Sequence, residues 1–118
     1  MSNSLTQTTS PMQAAGGHTL PLLRTQFGGT KQQAVTTSAG ASIQVHTSDY
    51  DRAVRIWAID CAVVYVFGSA TGMAAPNANS DGYVGKDNFV ETWMAPDENW
   101  IRCAAAAGTG SVRIEVLR

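Results

Sequence analysis

Residues 111–118 read SVRIEVLR, the clearest alternation of apolar and polar residues in the chain. Successive side chains of a β-strand point to opposite faces, so this stretch predicts a half-buried strand with Arg113 and Glu115 directed outward. The Gly-Thr-Gly sequence at 108–110 has a usual length for a hairpin loop. The residues predicted to face the core are Val112, Ile114 and Val116.

Extended segments of the same kind precede this strand along the chain. They lie at residues 42–46, 52–59, 61–67, 88–95 and 100–106. The segment at 61–67 is apolar on both faces, and such a strand is either central in a packed sandwich or covered by another chain. The alanines at 104–107 occupy a segment too short for a stable isolated helix.

These segments, with no convincing helix among them, predict an all-β fold. We expect a single β-sandwich or jelly-roll-like domain of about six to eight strands. Residues 68–87 are rich in Gly, Pro, Asn and Asp, which predicts a long loop with a short hairpin at 80–83. We place the sandwich at 31–118 and an extended, largely irregular N-terminal arm at 1–30, since residues 1–19 show no periodic apolar face.

Acidic residues are missing from the first part of the chain. No Asp or Glu precedes Asp49, so residues 1–48 carry only Arg24 and Lys31, a formal charge of +2, against six bases and nine acids in the rest. The acid-free part covers the arm and the first predicted strands. It therefore predicts one continuous acid-free flank of the molecule.

A short apolar patch lies near the end of the arm. Pro21 disfavours helix at the residue before it, so the patch is predicted to be extended. It either tucks under its own domain as a first edge strand or lies along a neighbouring subunit. The residues assigned to partner binding are Leu20, Leu22, Leu23, Arg24, Phe27 and Lys31.

The composition is apolar for a small soluble domain. Hydrophobic residues make up 44% and charged residues 14%, whereas average domains are about a quarter charged. We therefore expect a partner to cover part of the apolar surface. The net charge of −1 argues against a nucleic-acid partner, which needs a basic face. No stretch resembles a secretory signal or the roughly 20 apolar residues of a membrane span, which predicts a cytoplasmic protein without a membrane partner.

Candidate catalytic groups are few. His46 lies beside Ser48 and Asp49, a grouping that local turn chemistry explains better than a nucleophile motif does. Cys61 and Cys103 lack metal-ligand spacing and are predicted to be reduced core thiols. The sequence therefore predicts a non-enzymatic protein with no catalytic residue, no metal site and no cofactor.

Aromatic and arginine side chains give a more specific signal. Trp57 is predicted to share a strand face with Arg55, and both residue types are enriched in interface hot spots. Aromatic platforms can also stack on sugars or single-stranded bases, and ordinary core packing is the third interpretation. The candidates for an oligomer interface are Arg55, Trp57, Tyr65, Trp93 and Trp100.

Four segments carry a resemblance to a known group of proteins. They are VRIW at 54–57, DCAVVYVFGSA at 60–70, NFVETWMAP at 88–96 and WIRCAAAAGTGSVRIEV at 100–116. The order of these segments and the residue types in each resemble those of small β-sandwich proteins of tailed-bacteriophage virions, particularly head decoration or cement proteins. The resemblance implies a virion protein, assembled in the host cytoplasm, that binds the major capsid protein and copies of itself as a homotrimer or another symmetric oligomer.

The expected function is to bind and stabilise a capsid without catalysis. An arm that orders only on binding can spread contacts over a wide surface, so deletion of residues 1–30 should leave a folded sandwich that no longer attaches. The acid-free flank should face the partner, and the loops with Asp81, Asp87 and Asp97 should face away. The alternatives are a head-tail connector or tail accessory protein, a carbohydrate- or host-surface-binding module, and a small enzyme built on His46.

Overall fold

The computed structural model of the protein describes residues 25–77 and 79–117, and this part of the chain is all β with no helix. It contains eight strands in chain order. They are β1 (Thr25–Val35), β2 (Ile43–Gln44), β3 (Arg52–Ile59), β4 (Val63–Gly68), β5 (Gly82–Val84), β6 (Phe89–Met94), β7 (Trp100–Ala105) and β8 (Gly110–Leu117).

The strands form two antiparallel sheets. The first sheet has the order β1-β8-β3-β6, and the second has the order β2-β7-β4-β5. Their inner faces share one core, so the fold is a β-sandwich. The predicted all-β sandwich and its range of strand numbers are confirmed.

The core follows the alternation of the sequence. Ile56 of β3 and Ile114 of β8 pair in register, and neither side chain is exposed. Ile101 of β7 and Met94 of β6 are equally buried. Full burial of an aliphatic side chain of this size contributes about 1.5–3 kcal/mol, and these residues belong to a larger apolar cluster shared by both sheets.

The start of β4 is buried on both faces, as its apolar run predicted, whereas residues 65–68 are only half-buried. The strand lies between β7 and β5 in the second sheet, with Val63 in the core and Val64 buried on the opposite face. Arg102 holds two connections near that face. It donates hydrogen bonds to the carbonyl oxygen of Met73 in the loop between β4 and β5 (2.5 Å) and to that of Gly40 in the connection between β1 and β2 (2.9 Å). The sequence left two explanations for this apolar strand: a central position in a packed sandwich, or cover by another chain. Its central position in the second sheet is enough to explain the apolar run.

Two aspartates shape the connections at one end of the sandwich. Asp60 and Asp87 both have left-handed backbone conformations, with φ of 66° and 58°, which Asp tolerates better than most residues. Asp87 Oδ1 accepts a hydrogen bond from the Asp60 N–H at 2.9 Å. The turn after β3 and the turn before β6 are thereby tied together.

The first sheet begins earlier in the chain than the predicted boundary at residue 31. β1 starts at Thr25, which is in register with Leu117, and the register with β8 shifts between Thr25 and Thr30. An irregularity of this kind lets a strand continue past glycines without losing its partner. The end of the predicted arm is thus part of the sandwich, whereas residues 1–24 lie outside the described residues.

The acid-free part of the chain lies on one flank of the sandwich. β1 and β2 are edge strands of their sheets, and the segment between them bonds to β7, with the Ala105 N–H donating to the Thr36 carbonyl at 2.8 Å. β5 and β6 are the edge strands on the opposite flank, and Asp81 and Asp87 lie in the connections next to them. The acid-free flank predicted from the sequence is therefore formed by β1 and β2 in the described residues. The loop with Asp97 does not lie on the opposite flank as predicted, because the Val45 N–H donates to the carbonyl oxygen of Asn99, two residues after Asp97, at 2.8 Å.

Candidate functional site

The most distinctive surface is the solvent-facing side of the first sheet, which we call the outer face. Strand register gathers on it side chains that are far apart in sequence, because Arg55 lies between Glu91 and Glu115, and Trp57 between Phe89 and Arg113. Trp93 continues the row of β6 side chains beyond Glu91. The outer face comprises Arg55, Trp57, Phe89, Glu91, Trp93, Arg113 and Glu115.

A buried carboxylate organises the centre of the outer face. Glu115 is only 7% exposed and accepts a hydrogen bond from the Trp57 indole N–H at 2.8 Å. Its oxygens also lie 3.5 Å from Arg55 Nη1 and 3.2 Å from Arg113 Nε. A buried carboxylate requires such partners because desolvation of an unpaired charge is unfavourable.

A second ion pair flanks the first. Arg55 donates from both Nε (2.8 Å) and Nη2 (2.5 Å) to one oxygen of Glu91. Glu91 is exposed, and exposed ion pairs contribute little stability. Their effect is to hold the Arg55 guanidinium in one orientation.

Aromatic rings form the other half of the outer face. The Trp57 and Phe89 rings have centroids 4.6 Å apart with an interplanar angle of 40°, and the Arg55 guanidinium lies 5.5 Å from the Phe89 centroid. Phe89 is 47% exposed and Trp93 is 62% exposed. Apolar rings thus remain open to solvent beside a fixed set of charges.

A cleft of about 400 Å³ opens on the outer face between β3 and β8. Its lining consists of Arg55, Trp57, Ile59, Arg113 and Glu115. It therefore places guanidinium donors, a carboxylate acceptor and an indole ring side by side in one shallow, open depression. This combination can hold a polar side chain of another protein or a sugar ring, because both present apolar faces and hydroxyl or amide edges.

The predicted interface residues do not all share this surface. Arg55, Trp57 and Trp93 meet on the outer face, whereas Tyr65 packs against the core, where burial raises the pKa of its phenol. Trp100 is half-buried and precedes the inward-facing Ile101, so it lies on the solvent side of the second sheet. The five predicted residues thus divide among three locations.

The predicted partner-binding residues are mostly outside the described part of the chain. Leu20, Leu22, Leu23 and Arg24 fall there, and Phe27 belongs to β1 by its backbone. Lys31 is exposed and lines a second cavity of about 330 Å³. Among the other lining residues of this cavity are Gln44, His46, Ser48 and Arg52.

His46 is held by its neighbour in a turn. Its Nδ1 accepts the backbone N–H of Ser48 at 3.3 Å and lies 3.0 Å from the Ser48 hydroxyl oxygen. Burial lowers the pKa of His46, the nearby Arg52 charge lowers it further, and the Ala95 backbone offsets part of the effect. The contact between Ser48 and His46 is therefore local turn chemistry around an imidazole that favours its neutral form.

The thiols and the acidic groups show no sign of metal chemistry in the part of the chain that the structure describes. Cys61 and Cys103 are free and buried, and burial raises the pKa of Cys103 to about 12. No cluster of His, Cys, Asp or Glu among these residues could hold a metal ion. No helix of this region is long and apolar enough to cross a membrane.

Four residues of the outer face were missed as site residues by the sequence interpretation. Arg113 and Glu115 were predicted only to point outward, and Phe89 and Glu91 only to belong to a strand. Their role depends on which strands are neighbours, and alternation alone carries no information on strand order. Comparisons with protein-family models, with curated proteins and with solved structures gave no match.

Proposed function

We propose that the protein is a non-enzymatic structural protein of a tailed-phage virion that binds and stabilises the capsid as a head decoration protein. The observation that carries the proposal is the outer face, where Arg55, Arg113, Trp57 and Phe89 are held by contacts with one another and with two glutamates, beside the exposed Trp93. Trp, Tyr and Arg dominate the binding energy of protein interfaces, and preorganised side chains lose less entropy on binding.

The charges of the outer face support a protein partner. Arg55 and Arg113 are balanced by Glu91 and Glu115, so this surface is not the basic patch of a nucleic-acid binder. Polar groups of a partner can pair with these charged side chains at the edge of the contact, while its apolar groups cover Phe89 and Trp93. The proposed partners are the major capsid protein and further copies of this chain.

The acid-free flank supports a second area of contact. Lys31 lies on it and is exposed, and no carboxylate precedes Asp49 in the chain. Such a flank can approach an acidic capsid surface without repulsion. A head-tail connector or tail accessory protein would use the same surfaces, and the position of the protein in assembled particles separates these roles.

The proposal is tested by co-sedimentation with empty capsids of the phage that carries the chain. Arg113→Gln removes an arginine that lines the outer-face cleft, and Lys86→Gln removes one positive charge from the β5–β6 connection on the far flank. Loss of an interface hot spot costs about 2 kcal/mol or more. We expect R113Q to bind capsids at least tenfold more weakly than K86Q. Wild-type protein that stays in the supernatant contradicts the proposal.

A second candidate function is binding of carbohydrate or of a host-cell surface glycan. Trp57 lines the cleft together with Arg113 and Glu115, and a tryptophan in a groove with polar neighbours is what a sugar site requires. Retention on polysaccharide columns measures this function directly. Retention that R113Q abolishes, with no co-sedimentation with capsids, favours the glycan function over the structural one.

A further inference from the structure

The two sheets have four edge strands, and three of them have features that oppose pairing with another strand. In the second sheet, β2 has two residues and β5 has three, and short edges offer little to pair with. β1 has a register irregularity between Thr25 and Thr30. It also carries Lys31 on the inward side of the sheet, in register with Ile114. Inward charges and bulges are devices that protect edges.

β6 has none of these features. Its six residues keep an unbroken register with β3, from Trp57 opposite Phe89 to Arg52 opposite Met94. Its inward positions hold no charge and the strand contains no proline. No described strand pairs with its other edge. β6 is therefore a regular edge that remains open within the described part of the chain.

The backbone groups on this open edge can be identified. The Ala58 N–H donates to the Asn88 carbonyl at 2.9 Å, one step before the first residue pair of β3 and β6. Hydrogen-bonded pairs alternate along an antiparallel ladder, so Val90, Thr92 and Met94 bond towards β3. The N–H and C=O groups of Phe89, Glu91 and Trp93 consequently point to the open edge.

We infer that β6 pairs antiparallel with β6 of a second copy across a two-fold axis, which joins the two first sheets into one continuous sheet. The edge is complementary to itself, because it presents alternating donors and acceptors in either direction. An axis at Glu91 places Phe89 of one copy opposite Trp93 of the other at both ends. Aromatic cross-strand pairs of this kind are favourable.

Charge is the main opposing effect, and the fold compensates for it. The axis brings the two Glu91 side chains together, and like charges directly opposite are unfavourable. Each Glu91 is already paired with Arg55 of its own copy at 2.5 Å. The net charge of −1 per chain adds little repulsion between copies. The result is a neutral band of charges flanked by two aromatic pairs.

The size of the contact indicates the class of interface to which it belongs. One strand edge and four rings form an interface at the lower end of the known range, below about 1,200 Å² in total, where transient associations are found. We therefore expect a reversible dimer that becomes populated at high protein concentration. A two-fold axis also gives a dimer as the basic unit, which is one of the symmetric oligomers other than a homotrimer that the sequence resemblance allows.

The test uses the full chain alone, so it does not depend on the proposed virion function. Sedimentation equilibrium over a concentration series should show a monomer–dimer equilibrium. Glu91→Pro removes an N–H from the open edge at a position that bonds away from β3, which edge strands tolerate. We expect E91P to dimerise at least tenfold more weakly. Its matched control, Glu91→Ala, keeps the N–H and should dimerise at least as tightly as the wild type.

Amide hydrogen exchange provides a readout that needs no variant. Raising the wild-type concentration should slow exchange at Phe89, Glu91 and Trp93, while the amides that bond to β3 are protected at every concentration. A wild-type chain that stays monomeric throughout the series overturns the inference. A dimer in which these three amides exchange at unchanged rates, or a folded E91P that dimerises like E91A, overturns it as well.

Discussion

Glu115 shows how a single residue can determine a surface. It lies on the outward side of β8, yet it is almost fully buried under the side chains that it binds. Contacts with this one carboxylate thereby fix the positions of the Trp57, Arg55 and Arg113 side chains relative to one another. The outer face is preorganised because the charge that orders it has been removed from solvent.

Replacement of Glu115 should therefore be far more harmful than replacement of Glu91. Glu115→Gln removes the charge between two arginines and weakens the hydrogen bond from Trp57. Breaking a buried pair from one side costs about 3–5 kcal/mol, and partial exposure of the arginines lowers that figure, so we expect a loss of roughly 2 kcal/mol in the free energy of unfolding. Urea denaturation measures it.

Glu91→Gln is the matched control, with the same change of chemistry at an exposed carboxylate. Exposed ion pairs contribute about 0–1 kcal/mol, so this variant should unfold close to the wild-type midpoint. Equal midpoints for the two variants would show that burial of Glu115 does not contribute to stability.

His46 gives the fold a dependence on pH. Burial and then the Arg52 charge lower its folded-state pKa, while the unfolded value is about 6.5. Protons therefore bind preferentially to the unfolded chain, so this contribution to stability is complete above about pH 6.5 and is lost as the pH falls below that value. Thermal unfolding should show a lower midpoint at about pH 5.5 than at about pH 7.5.

The variant His46→Gln separates this effect from the titration of carboxylates. Glutamine does not ionise, so the midpoint of H46Q should change less between those two pH values than that of the wild type. An identical pH dependence in both proteins would assign the effect to other groups.

At the scale of elements, the alternation of apolar and polar residues predicted which side of each strand faces the core. The inward residues of β8 are those that the sequence indicated, and Arg55 and Trp57 share one face of β3 as predicted, because burial imposes a period of two on each strand separately. The same pattern did not reveal that Arg55 meets Glu115, or that Arg102 fastens the loop between β4 and β5. Those contacts depend on the order of the strands in the sheet and on the path of the loop. Both are determined by segments that lie far apart in the sequence.

The turn between β7 and β8 depends on a close approach of chains that the sequence indicated only as a loop. A side chain at Gly110 would overlap the Ile59 carbonyl oxygen and lie 2.7 Å from Cys61 Sγ. Overpacking of this kind costs about 1–3 kcal/mol. We expect Gly110→Ala to lower the free energy of unfolding by roughly 2 kcal/mol in urea denaturation.

Gly72 provides the control for this substitution. A Cβ at Gly72 meets nothing within 4 Å, and replacing a compatible glycine stabilises a fold by about 0.4–1 kcal/mol through the unfolded state. G72A should therefore unfold at or above the wild-type midpoint. A neutral effect of G110A would mean that β8 shifts away from Ile59 without loss of packing.

For the whole molecule, the distribution of charge was more informative than its sum. The absence of acids before Asp49 corresponds to a flank formed by β1 and β2, while Asp81 and Asp87 lie beside the opposite edges. The residue at which the sandwich begins could not be predicted from the charge distribution. The glycines at 28 and 29 resemble a linker in sequence, yet β8 is long enough to pair with the chain on both sides of them.

That boundary decides where the arm can be removed. Deletion of residues 1–30 would delete the start of β1 and its pairing with Leu117 and Glu115, so a loss of attachment could reflect damage to the sheet. Deletion of residues 1–24 leaves every described strand complete. If the arm spreads contacts over a capsid, the shortened chain should keep the wild-type urea midpoint and lose co-sedimentation with empty capsids. Full binding by the shortened chain would assign attachment to the sandwich alone, with the outer face as its remaining binding surface.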